Sequence, residues 1–165
     1  MPLPSTMTPI ATQTLSASAT SITFSNIPQT YTDLVVIMQF GQTIGDDVKM
    51  RFNGDTGTNY SSTRLAGDGS IASSSRTTNE TGIQPRTPSN PNTSIISMWT
   101  ENINNYSNST TYKTSLGRYS YPSGFTTAHT GLWRSTASVT SITLLCQTQS
   151  WVSGTIATIY GIKAA

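Results

Sequence analysis

"DDVKMRFNGDTGTNY", residues 46–60, carries the pattern that decides the fold. Val48, Met50 and Phe52 alternate with Lys49 and Arg51. A period of two sends successive side chains to opposite faces of a strand, so the apolar three are expected in a core and the cations in water. Asn53-Gly54-Asp55 then stops the alternation. Asn and Gly accept the positive φ of a tight turn, so "FNGD" reads as a hairpin signal and a sheet corner. The acids nearby, Asp46, Asp47, Asp55 and Asp68, are of the type that supplies oxygen ligands to Ca²⁺. They lack the D-x-[DN]-x-[DN]-G spacing and the closing glutamate of a calcium loop. Turn and strand-end roles are expected for them, and no metal site.

The same grammar recurs on both sides. "SITFS" puts Ile22 and Phe24 on one face, and "LVVIMQF" is apolar on both faces from Leu34 to Met38, as a central strand would be. Strand patterns follow in "SIISMWT", "YKTSLGRYS", "HTGLWRS", "SVTSITLLCQ" and "GTIATIYGIK". In the last, Ile156, Thr158, Tyr160 and Ile162 share one face and Ala157, Ile159 and Gly161 the other. About eight to nine short strands separated by turn residues predict an all-β antiparallel sandwich, with a jelly roll as the expected form. Residues 66–94 break the pattern: they are rich in Gly, Ser, Thr, Asn and Pro. A connection of that length is unusual in a compact domain, so a surface loop, a segment packed on a neighbour or a short irregular strand is expected there. Pro2, Pro4 and Pro9 favour an extended N-terminal arm over residues 1–9, with Leu3, Met7 and Ile10 as its partner-binding contacts. Residues 10–165 are then one domain.

Composition narrows the chemistry. The 165 residues are 10% charged, and about a third are Ser or Thr. A typical chain is about 25% charged. Thr suits a half-wet pleated surface, while Ser competes with helical hydrogen bonding. The net charge of +2 comes from nine scattered basic residues, so no duplex-binding footprint and no direct nucleic-acid partner are expected. No apolar run approaches the roughly 20 residues that span a bilayer, so no membrane partner is expected. "MPLPSTMTPIATQ" has neither the basic nor the apolar region of a signal peptide. The lone Cys146, in "SITLLCQ", reads as a buried inert thiol.

Each catalytic pattern falls short. His129 is the single histidine, and no G-x-S-x-G elbow accompanies it. One His and one Cys cannot build a zinc site within one chain. Glu80 and Glu101 are the sole glutamates, a thin basis for a paired-carboxylate mechanism. "GDG" at 67–69 lacks the strand-then-helix setting of a phosphate loop. No catalytic, cofactor-binding or metal residue is expected, and no cofactor. Trp99, Tyr106, Tyr112, Tyr119, Tyr121, Trp133 and Trp151 crowd the second half among Asn and Ser. They are either sheet-facing core residues or a platform of the kind that holds sugars or a protein partner.

Four phrases taken together, "SITFSNIPQTYTDLVVI", "VKMRFNGDTGTNYSSTRLAGDGS", "GLWRSTASVTSITLL" and "TIYGIKAA", resemble a family. It comprises small structural proteins in virions of tailed double-stranded DNA phages of aquatic bacteria, cyanophages among them. The resemblance is strongest over residues 20–70 and 130–165. It implies a β-sandwich or jelly-roll particle protein without catalytic residues. Some members look like capsid decoration (cement) subunits and others like tail or fibre modules. The expectation is therefore a non-enzymatic cement protein on the outer capsid surface. Its partners would be the major capsid protein and itself, as a homotrimer on the three-fold points of a shell. The alternative is a tail fibre or baseplate module binding host surface glycans.

Overall fold

The structure, a computed structural model, describes residues 6–86, 96–121 and 124–163. These form twelve strands, in chain order β1 (Met7–Thr14), β2 (Ser21–Phe24), β3 (Asp33–Phe40), β4 (Val48–Phe52), β5 (Tyr60–Gly67), β6 (Ala72–Glu80), β7 (Ile83–Arg86), β8 (Ser97–Asn104), β9 (Lys113–Tyr121), β10 (Phe125–Trp133), β11 (Ile142–Cys146) and β12 (Ile156–Ile162). Eight make one sheet in the order β1-β12-β3-β8-β9-β10-β5-β6, and four make a second, β2-β11-β4-β7. All pairings in both sheets are antiparallel. The fold is an all-β sandwich, split eight and four.

The small sheet supplies Ile22, Phe24, Val48, Met50, Phe52, Ile83, Ile142 and Leu144 to the core. The large sheet answers with Leu34, Val36, Met38 and Phe40 from β3, Trp99 and Ile103 from β8, and Ala157 and Ile159 from β12. Each fully buried aliphatic or aromatic side chain of this kind is worth about 1.5–3 kcal/mol of transfer free energy. β3 is third in the large sheet, and its outward Val35 and Ile37 are half-buried between β12 and β8. That explains its apolar character on both faces.

Four expectations need correction. Residue 9 is not a boundary: Met7, Thr8 and Pro9 are in register with Ile162, Gly161 and Tyr160, and a bulge follows between Pro9 and Ala11. Proline is tolerated there because β1 is an edge strand whose outer N–H groups need no partner. Leu3 lies outside the described residues. Secondly, residues 66–94 hold the end of β5, all of β6 and β7. β6 shows no apolar alternation because it is exposed along nearly its whole length. Thirdly, Asn53 (φ 52) and Gly54 (φ 66) do form a turn, closed by the Asp55 N–H to Phe52 carbonyl bond of 2.9 Å. It is a crossing rather than a hairpin, since β4 belongs to the small sheet and β5 to the large one. Finally, Val48, Met50 and Phe52 are buried, but so is Lys49 at 8% exposure, and Arg51 is half-buried. The chain at Thr81-Gly82 crosses over both: Arg51 Nε donates to the Thr81 carbonyl at 2.7 Å, and Lys49 Nζ reaches Glu80 at 3.2 Å.

Candidate functional site: an interior polar row and an open sheet face

Three of the four acids of the opening stretch and its surroundings hold the scaffold. Asp46 accepts the backbone N–H groups of Thr148 and Gln149 at 2.6 and 2.8 Å. Burial pushes its carboxyl up, yet these bonds together hold it below its ordinary value. Asp55 accepts the Trp133 indole N–H at 2.7 Å, the Asn59 amide at 2.9 Å and the Gly57 N–H at 2.8 Å. The Trp133 bond is the main cause of its lowered pKa. Asp68 closes the β5–β6 turn by accepting from Ser70 and Ile71. Asp47 is half-buried, and burial raises its pKa. Among the described residues, no group of three or more His, Cys, Asp or Glu side chains is placed to hold a metal ion.

A cluster absent from the sequence reading lies inside the sandwich. β8, β9, β10 and β5 align Glu101, Gly117, His129 and Arg64 in one row across the inner face of the large sheet. Glu101 Oε2 lies 2.7 Å from His129 Nε2 and accepts the Trp99 indole N–H at 2.8 Å. Gly117 makes this possible: a Cβ there would overlap both Glu101 Oε2 and the His129 ring. Beyond His129, Arg64 Nε bonds Ser75 Oγ at 3.2 Å. A His beside a carboxylate is the geometry of a general base. Here both side chains have 0% exposure and are closed off from solvent. The arrangement orders the core. The alternation Trp99-x-Glu101-x-Ile103 was the available signal, because it assigns Glu101 to the inward face.

The second-half aromatics divide unequally. Trp99, Tyr106, Tyr119, Tyr121, Trp133 and Trp151 are buried, and Tyr112 alone is exposed, at 54%. Trp133 stacks on Tyr60 at 6.2 Å between ring centroids and meets Phe52 edge-on at 5.4 Å. Lys113 is buried too, donating to the Thr111 and Thr136 carbonyls at 2.7 and 3.1 Å, and burial lowers its pKa. Cys146 is buried beside Gln42, and burial pushes its thiol up to about 12. Of the expected arm contacts, Met7 is exposed on β1, whereas Ile10 packs against the core.

The outer face of the large sheet is different in kind. Its outward positions in β5, β8, β9 and β10 are mostly Ser, Thr and Asn, interrupted by exposed Leu65, Met98 and Leu116. Arg76 and Arg118 stand exposed on it. Asp33, at its margin, is engaged by the Asn105 N–H at 2.6 Å. A shallow groove of about 490 Å³ runs along this face past Thr63, Arg76, Asn104, Leu116 and Leu132. No helix among the described residues is long and apolar enough to cross a membrane.

No protein-family profile matches the chain, and no curated protein does. Among solved structures, a protein of unknown function from Shewanella oneidensis MR-1 aligns over 97% of this chain and 80% of its own, at 9% identity and a TM-score of 0.22. A likeness that weak establishes no shared fold.

Proposed function

We propose that the chain is a non-enzymatic structural protein of a tailed-phage virion, acting as a capsid decoration (cement) subunit on the outer shell. Its partner is the major capsid protein. The observation that carries this reading is the open face of the eight-stranded sheet. Eight strands spaced about 4.8 Å apart, at about 3.3 Å per residue, offer on the order of 800 Å², the share each partner buries in a standard interface. Apolar residues and arginines stand on this face among hydroxyls and amides, while the glutamates lie elsewhere, Glu80 on Lys49 and Glu101 in the core. Interfaces are enriched in Met and Arg and depleted of Lys, Glu, Asp, Ser and Ala, so Met98, Arg76 and Arg118, rather than the serines between them, are the anchors of this face. The resemblance to small phage virion proteins supplies the setting, and the buried aromatics leave a glycan-binding fibre with little stacking surface. The copy number per particle, measured by quantitative mass spectrometry of purified virions, tests the reading. Hundreds of copies are expected. A handful confined to the tail would favour the fibre or baseplate alternative, and absence from the particle would end the virion reading.

A further inference from the structure

The sandwich has four sheet edges, and three of them are protected. β1 carries Pro9 and a bulge, β2 has four residues, and β7 has four with Pro85 among them. The fourth, β6, is nine residues long, contains no proline, has its bulge only near its end at Asn79 (φ 57), and is exposed from Ala72 through Arg76. Natural sheets blunt such edges with proline, bulges, lysine or shortness, because a row of unpaired N–H and C=O groups templates another strand. We propose that β6 pairs antiparallel with β6 of a second copy about a two-fold axis at Ser75, joining two large sheets into one.

The register follows from the backbone. In an antiparallel ladder, bonded and non-bonded pairs alternate. Counting along β5 from the Arg134 N–H to Asn59 carbonyl bond of 2.9 Å, and along the turn from the Asp68 N–H to Ile71 carbonyl bond of 3.3 Å, gives one answer. Ser73, Ser75 and Thr77 face β5 with their N–H and C=O groups, while Ala72, Ser74, Arg76 and Thr78 turn theirs outward. Centring on Ser75 sets Ser74 against the partner's Arg76 and Ala72 against the partner's Thr78, so all four outward residues bond. Centring on Arg76 would oppose two guanidinium groups, and centring on Ser74 would shorten the ladder. A Thr77-centred ladder of equal length would run through the bulge at Asn79, so the Ser75 register is the longest regular one without a like-charge pair, and it is self-complementary as a two-fold contact requires. This contact holds whatever the chain's role, and it stands in place of the three-fold assembly expected from the shell argument. A seven-residue ladder buries less than the ~1,200 Å² typical of stable complexes, so the dimer dissociates on dilution.

Ser75 opposite its own copy is a non-bonded pair with Cα atoms about 4.5 Å apart, within disulfide reach. Purified Ser75→Cys, oxidised with glutathione disulfide, should form several-fold more covalent dimer than Ser73→Cys. A mixture of Ser73→Cys and Thr77→Cys should cross-link as heterodimer, and native Cys146 is too buried to interfere. Ser74→Pro removes an outward N–H that β5 does not use. It should leave the melting temperature near that of the native chain while abolishing the concentration-dependent dimer in sedimentation velocity. Equal cross-linking of Ser75→Cys and Ser73→Cys, a native chain monomeric at every concentration, or a sedimenting trimer each overturns the proposal.

Discussion

Replacing His129 or Glu101 by leucine, singly and together, measures what the interior polar row contributes. Both side chains are fully buried, and Glu101 Oε2 serves two donors, His129 at 2.7 Å and the Trp99 indole at 2.8 Å. His129→Leu leaves a carboxyl in the core with the indole as its one remaining named donor. Glu101→Leu strips both donors of their acceptor. Breaking a buried pair by removing one partner costs about 3–5 kcal/mol, because the survivor is desolvated without compensation. The double variant replaces the pair with apolar volume and leaves the Trp99 N–H unsatisfied, a cost of about 1–3 kcal/mol. It should therefore be no less stable than either single variant, with a coupling of at least about 3 kcal/mol in the cycle. Urea unfolding at constant m reads the difference directly, and each single variant should also melt roughly 6–20 °C lower, at about 2–4 °C per kcal/mol for a domain of this size. Additive losses would refute the claim that these residues act as one unit.

Lys49→Asp should cost about 1–3 kcal/mol in urea unfolding rather than being silent, since it faces Glu80 beneath the Thr81-Gly82 crossing with a second carboxylate. Lys49→Met, which keeps the packing, should cost less. EDTA should leave the melting temperature unchanged, because Asp46, Asp55 and Asp68 accept from neighbouring N–H groups. A drop of several degrees would reveal a bound metal that stabilises the fold by mass action. Asp55 has a folded-state pKa held below its ordinary 3.8, so its contribution is complete above that value and is lost as pH falls through the lowered one. The stability gap between the native chain and Asp55→Asn should accordingly be widest at neutral pH and close below about pH 3.8; a gap constant from pH 2 to 6 would contradict the Trp133–Asp55 bond as its source.

The all-β class was legible because alternation is a local signal. It appears wherever one face of a strand is buried, as in β8 and β12, whose buried positions alternate as their patterns do. β6 was illegible for the complementary reason: a strand beyond the edge of the smaller sheet has no buried face, so nothing in "ASSSRTTNE" needs to alternate. The hairpin reading of "FNGD" failed because turn chemistry fixes φ at Asn53 and Gly54 but not which sheet the chain enters next. Lys49 was misjudged on the same ground, since a chain crossing over β4 is a tertiary event with no local trace.

The Glu101–His129 pair lies at the far limit of such reading. Its partners are 28 residues apart and meet across Gly117 only once the registers of three strands are known. A one-residue slip in either ladder would turn one of them to the outer face. A buried polar contact that tolerates one register only is therefore a constraint on strand pairing as well as a contributor to stability. In β9 and β10 the inner face mixes Ser115, Gly117, Thr127 and Gly131 with Tyr119 and Trp133, so hydrophobic contrast there is lower than in β3. The polar row adds to the penalty: a slip of β10 against β9 would leave Glu101 buried beside Trp99 without His129. Register fidelity at the centre of the large sheet then lets its edge, β6, remain as plain in sequence as it is.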